Sequence, residues 1–225
     1  EVLAMGASKF PEKYDQNPLP AVPLEISTIV GKIWPGSSFL NENFTLANLK
    51  NKRNQPQYKI IHLATHGDFQ PGGAENSYIQ FWDTKLRLNQ LDELRLSKPQ
   101  VELLVLSACT TAVGDEQAEL GFAGLAVHAG VKSALASLWY VSDAGTLGLM
   151  TEFYQQLRTA PIKAEALRQA QLAMLRGEVR LQDGYLVRSH NNQALPLPVE
   201  LSARGDRNLS HPYYWAAFTM IGSPW

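Results

Sequence analysis

Residues 101–107, Val-Glu-Leu-Leu-Val-Leu-Ser, are almost wholly apolar and show no alternation. A strand with one wet face must alternate, so an unbroken apolar run of this length reads as a strand buried on both faces. Such a strand needs neighbours at both edges and a covering layer on each face. The chain supplies candidates for both. Residues 2–8, 58–66 and 131–139 read as further buried strands, and 38–40 as a short one. Between them, Leu24, Ile26, Ile29, Val30, Ile33 and Trp34 fall mostly at helical spacing, and Pro35-Gly36 ends that pattern. Thr45 predicts an N-cap for a short helix through Leu49. Short or amphipathic helices are also predicted over 91–96, 120–129 and 162–175, and Ser142 or Asp143 can cap one through Leu157. Residues 77–82 and 85–88 flank Asp83-Thr84 as a hairpin would. The stretch 9–21, carrying Pro11, Pro18 and Pro20, reads as a loop. Residues 178–211 are polar, broken by prolines and poor in pattern, and read as an irregular insertion before a final aromatic-rich strand at 213–221. Strands alternating with helices predict one α/β domain over 1–225, with a mostly parallel central sheet and helices on both faces.

Composition narrows the function classes. In 225 residues the net charge is -1, which argues against a phosphate-binding surface and against direct nucleic-acid recognition. The single cysteine excludes an internal disulfide and a Cys-rich zinc site. No run approaches the ~20 apolar residues of a membrane helix, and no basic-then-apolar leader is visible. The expectation is a cytoplasmic protein without a membrane partner.

Two of the strands end in reactive residues. One ends Ala64-Thr65-His66-Gly67; the other ends Ser107-Ala108-Cys109-Thr110-Thr111. Open α/β sheets bind ligands beyond the carboxyl ends of their strands. If these two strands are parallel neighbours, His66 and Cys109 share a rim. An imidazole and a thiol there suffice for nucleophilic catalysis: imidazole takes the thiol proton, thiolate attacks a carbonyl, and imidazolium protonates the leaving amine. The competing reading of Cys109 is a small buried hydrophobe, and of His66 an ordinary surface histidine. Gly67 favours the functional reading, because it lets a substrate backbone come close. A zinc pair of His62 and His66 fails on geometry, since positions four apart on a strand lie ~13 Å apart. His62 reads as a core residue, and His128, His190 and His211 as structural. No carboxylate cluster has the spacing of a calcium loop, so no metal or cofactor is expected.

Four ordered segments carry a family resemblance: Ile60-Ile-His-Leu-Ala-Thr-His-Gly67, Leu103-Leu-Val-Leu-Ser-Ala-Cys-Thr-Thr-Ala112, Ala136-Ser-Leu-Trp-Tyr-Val-Ser-Asp143 and His211-Pro-Tyr-Tyr-Trp-Ala-Ala-Phe218. They resemble the CHAT domain, a caspase-like cysteine peptidase domain often fused to tetratricopeptide repeats and abundant in cyanobacteria and other bacteria. The resemblance implies a caspase-like three-layer sandwich, and that the chain is the C-terminal part of a longer protein. It implies a catalytic dyad of His66 and Cys109, with an oxyanion hole from the backbone N–H groups of Gly67 and Cys109. The Gln of the caspase nucleophile motif is missing, so specificity for aspartate does not carry over. The segment ending in Asp143 is similar to the Leu-Trp-x-Val-Thr-Asp segment of separase, whose aspartate holds the arginine before the scissile bond. That match implies that Asp143 binds Arg or Lys of a protein or peptide substrate; the plain alternative is that Asp143 only caps the following helix. The implied activity is a cysteine endopeptidase, latent until the fused repeats or a regulatory partner activate it. A non-catalytic interaction module on the same fold is the alternative. Arg176, Arg180, Arg188, Arg204 and Arg207 make the insertion a candidate for self-cleavage.

Overall fold

The computed structural model describes residues 1–70, 74–108, 121–188 and 193–225. The strands are β1 (Val2–Gly6), β2 (Gly36–Leu40), β3 (Ile60–Ala64), β4 (Gly67–Asp68), β5 (Tyr78–Gln80), β6 (Lys85–Arg87), β7 (Leu103–Ser107), β8 (Ser133–Ser137), β9 (Val179–Gln182), β10 (Tyr185–Arg188), β11 (Gln193–Pro196), β12 (Arg207–Asn208) and β13 (Phe218–Gly222). The α-helices are α1 (Val22–Thr28), α2 (Leu46–Arg53), α3 (Gly121–His128), α4 (Asp143–Leu157), α5 (Lys163–Leu175) and α6 (Val199–Ser202). A π-helical turn, Ile29–Ile33, extends α1.

The central sheet has six strands in the order β13-β8-β7-β3-β1-β2. All neighbours are parallel except β13, which runs antiparallel to β8 at one edge. The four inner strands are buried along their whole length, as their apolar runs require. Alternation survives as a sorting between two faces. Val2, Ala4, Ile60, Leu103 and Val105 point into one core with α1, α4 and α5. Leu3, Met5, Ile61, Leu63, Leu104 and Leu106 point into the other, with α2, α3 and the β5–β6 hairpin. This is the α/β sandwich with helices on both faces, of caspase-like type.

Local signals explain most boundaries. The Thr45 side chain accepts a hydrogen bond from the Asn48 N–H at 3.1 Å, so it caps α2. The Ser142 hydroxyl accepts from the Gly145 N–H at 3.3 Å, so Ser142, and not Asp143, caps α4. The helix expected at 91–96 is a 3-10 helix, Leu88–Leu94. The aromatic start of the expected last strand is instead a 3-10 turn, Pro212–Tyr214, where the His211 imidazole accepts from the Tyr213 N–H at 3.2 Å.

The largest departure is the stretch 178–211, expected to be irregular. Its described residues form a four-stranded antiparallel sheet, in the order β11-β10-β9-β12, with α6 between β11 and β12 in chain order. Leu181, Leu186, Leu195, Leu201 and Leu209 are buried in the same core as α4 and α5. Arg188, offered by the sequence as a cleavage point, is 1% exposed and donates to the Thr151 carbonyl.

Candidate active site

The rim at the carboxyl ends of β3 and β7 is built by main-chain pairing. The two strands are adjacent and parallel, with Ala64 beside Ser107. One residue on, the Thr65 N–H donates to the Ser107 carbonyl at 3.2 Å. The chain then turns away to pair with β5. The His66 carbonyl accepts from the Gln80 N–H at 2.9 Å, the Thr65 hydroxyl donates to the Gln80 carbonyl at 2.6 Å, and Gly67 pairs with Ile79. Three successive residues are thereby fixed to two different sheets. Across the rim, Ala108 is buried and its carbonyl accepts from the Ser137 hydroxyl at 2.7 Å. A Cβ on Gly67 would meet the Phe69 ring at 3.0 Å and the Ala108 Cβ at 3.7 Å, so the backbone after His66 runs directly beside Ala108. Cys109, next in the chain, lies outside the described residues, and with it the thiol and its share of the expected oxyanion hole.

The His66 ring has a defined orientation. Its Nε2 lies 2.7 Å from the Asn17 carbonyl, and Phe10 packs on it with ring centroids 5.2 Å apart. A carbonyl can only accept, so Nε2 carries the proton and Nδ1 keeps its lone pair. Burial pushes the imidazole pKa below its usual value, against the opposing pull of the Asn17 carbonyl. A neutral ring with its lone pair on Nδ1 is the form a general base needs. The sequence offered no sign of Asn17: its contribution is a backbone oxygen, which any residue in that loop carries.

Asp143 opens α4 on the facing wall. Its Oδ2 accepts from the Ala21 N–H at 2.9 Å, tying the start of α4 to the start of α1. The carboxyl pKa is raised to about 6: burial raises it most and Glu25 adds to the rise, while the Ala21 N–H and the Arg204 guanidinium pull the other way.

Behind Asp143 a polar line enters the core. Glu25 of α1 and His62 of β3 are 1% and 0% exposed, with Glu25 Oε1 2.9 Å from His62 Nε2. The other imidazole nitrogen, Nδ1, is 3.3 Å from the Tyr154 hydroxyl. Burial, then the charge of Glu25, pushes that phenol well above its usual range. His62 is the core residue the sequence suggested; Glu25 carries no signal in the sequence that marks it as buried. A Glu in an amphipathic pattern is ordinarily solvated.

His66, Gly67 and Asp143 all line one cleft of about 1120 Å³, with Asp68, Tyr140 and Arg204 among the other walls. The structure thus brings three of the four expected site residues to one cavity. Among the described residues no three His, Cys, Asp or Glu side chains come together as metal ligands. No helix among them is long and apolar enough to cross a membrane.

Fold and cleft together define a class: a mostly parallel α/β sandwich with a histidine and a half-buried carboxylate on one cavity at the carboxyl edge of the sheet. Within that class the chain belongs to the CHAT domain family, whose pattern matches residues 1–223. The family is caspase-like and related to cysteine peptidases. No curated protein matches the chain.

Proposed function

We propose that the chain is a cysteine endopeptidase that cuts after arginine or lysine. The observation that carries this reading is the orientation of His66. The Nε2–H is committed to the Asn17 carbonyl, so the basic Nδ1 is left for a thiol at a rim where Ala108 leads into the only cysteine of the chain. In the proposed reaction His66 Nδ1 takes the Cys109 proton. The thiolate attacks the scissile carbonyl, and the Gly67 and Cys109 N–H groups receive the oxyanion. Imidazolium then gives its proton to the leaving amine, and water hydrolyses the thioester. Backbone donors suit this task because they are fixed before the charge develops. Asp143 binds the basic side chain before the scissile bond. Its neutral form is stabilised by burial, and an entering guanidinium restores the charged form with a bidentate pair.

In the full protein this domain is held latent by fused tetratricopeptide repeats or a regulatory partner, in a cytoplasmic setting. A second reading is an interaction module that keeps the fold without catalysis; in its support, Arg204 and Arg207 of the insert line the cleft that a substrate would enter.

The test is hydrolysis of a peptide panel that varies the residue before the scissile bond, with Cys109→Ala and His66→Ala as controls. Cleavage after Arg and Lys that both variants abolish is the expected result. Equal or better cleavage after Asp or aliphatic residues would remove the role of Asp143. Cleavage that persists in Cys109→Ala would remove the peptidase assignment.

A further inference from the structure

Phe10 and the Asn17 carbonyl, which together orient the His66 ring, belong to one loop. The Leu19 N–H donates to the Ser8 carbonyl at 2.9 Å and closes residues 8–19 at their base. Phe10 stands two residues after one end of that base and Asn17 two before the other. Sheet pairing stops just short of it: Gly6 pairs with Leu40, and the Ala7 N–H donates to the Ala64 carbonyl at 3.2 Å. Asn41, the residue after β2, then takes over with its side chain. Its Oδ1 accepts from the Ser8 N–H at 3.0 Å and from the Ser8 hydroxyl at 3.3 Å. Asn41 itself has a φ of 49°, in the left-handed region that Asn and Asp tolerate better than other residues with a Cβ. Its own turn is closed by main chain, the Phe44 N–H donating to the Asn41 carbonyl at 2.7 Å, so that turn makes no use of the amide side chain.

The far end of the loop has a second tie. The Tyr14 hydroxyl donates to the carbonyl of Asp83, which stands in the turn between β5 and β6. The same hairpin holds the His66 main chain through the Gln80 N–H. Ring and backbone of His66 are thus referred to one frame. We propose that Asn41 and Tyr14 are positioning residues for His66: they hold the loop that presents Phe10 and the Asn17 carbonyl to the ring. Neither lines the cleft. The inference rests on the reading of His66 as the general base, because only then does the placement of the ring govern a rate. A side-chain change at Asn17 cannot remove the carbonyl that the ring meets, so control of that bond passes to the residues that fix the loop backbone. A displacement of about 1 Å at a reacting group can cost ~10² in rate.

The experiment pairs a spectroscopic readout with a kinetic one on the full chain. With ring-15N histidine, the His66 Nε2 proton is seen as a slowly exchanging signal while the Asn17 carbonyl holds it, and its absence in His66→Ala identifies it. The rate is that of Cys109 labelling by an arginine acyloxymethyl ketone. Asn41→Gly keeps the left-handed backbone and removes the acceptor; it is expected to lose the proton signal and to label about tenfold more slowly, part of what a general base contributes in full. Asn41→Asp keeps both the backbone and an acceptor and is expected to retain the signal and the rate. Tyr14→Phe removes one hydroxyl and keeps the ring; it is expected to speed exchange of the proton and slow labelling about threefold, and it carries the test if Asn41→Gly does not fold. Signal and rate at parental values in Asn41→Gly and Tyr14→Phe, or equal losses in Asn41→Asp and Asn41→Gly, would overturn the proposal while the dyad stands. Loss of the signal in Asn41→Gly, with labelling undiminished both there and in His66→Ala, would overturn the general base and with it the positioning role.

Discussion

The two walls of the cleft are made differently. The His66 wall is made of backbone: Thr65, His66 and Gly67 are each tied to β7 or β5 through main-chain atoms, and the ring is oriented by the Asn17 carbonyl. The Asp143 wall is made of charge: a half-buried carboxylate with a pKa of about 6, on which the Glu25 carboxylate and the Arg204 guanidinium act in opposite senses. Backbone pairing is rigid and indifferent to pH, and suits the group that must be placed within a fraction of an ångström of the reacting atoms. A cluster of incompletely balanced charges responds to ligands and neighbours, and suits the part that reads a substrate or is regulated.

His62 joins the two walls, since it lies on β3 four residues before His66 and contacts Glu25 behind Asp143. Replacing it breaks the comparison most severely. His62→Ala leaves Glu25 without its buried contact, removes the partner of the Tyr154 hydroxyl and opens a cavity. The expected cost is about 3 kcal/mol, read as a lower midpoint in denaturant at unchanged slope. A loss within a few tenths of a kcal/mol would mean that the polar line behind the cleft is not an energetic link.

Asp143→Asn sharpens the comparison with a smaller effect of opposite sign. The folded protein holds the Asp143 proton more tightly than the unfolded chain does, because the pKa rises from 3.8 to about 6. Between those values the folded state binds more protons, so stability falls as pH rises from about 4 to about 6 and then levels off. Asparagine keeps an oxygen for the Ala21 N–H and has no charge to bury. The variant is therefore expected to be more stable than the parent by about 2 kcal/mol at pH 7.5, with the gap closing near pH 4. Thermal unfolding across that range checks it. A gap that is absent at pH 7.5, or that widens toward acid, would mean that the carboxylate is not strained by burial. A side chain that destabilises the fold while it serves binding is the expected signature of a functional group.

The same division governs how much could be read in the sequence. Strands β3 and β7 were legible because burial on both faces demands unbroken apolar runs, and their parallel pairing put the carboxyl ends on one rim. The cap at Thr45 was legible because a hydroxyl before a helix has a local task. The insert was not. Its strands have four or two residues and interleave Arg, Gln and Asn with the few leucines that reach the core, too short a pattern to distinguish from a loop. Glu25 and Arg204 were illegible as site residues for a related reason: charges become a site only when the fold gathers them, and these two stand near opposite ends of the chain. Asn17 acts through a carbonyl and leaves no trace in the residue type.

The central claim is that His66 activates Cys109 at this rim. An acyloxymethyl ketone with arginine before the reactive carbonyl, applied to the full chain and read by mass spectrometry, tests it directly. The account predicts labelling at Cys109, none in Cys109→Ala, and a rate lower by about 10²–10⁴ in His66→Ala, the contribution of a positioned general base. Labelling at an undiminished rate in His66→Ala would contradict it.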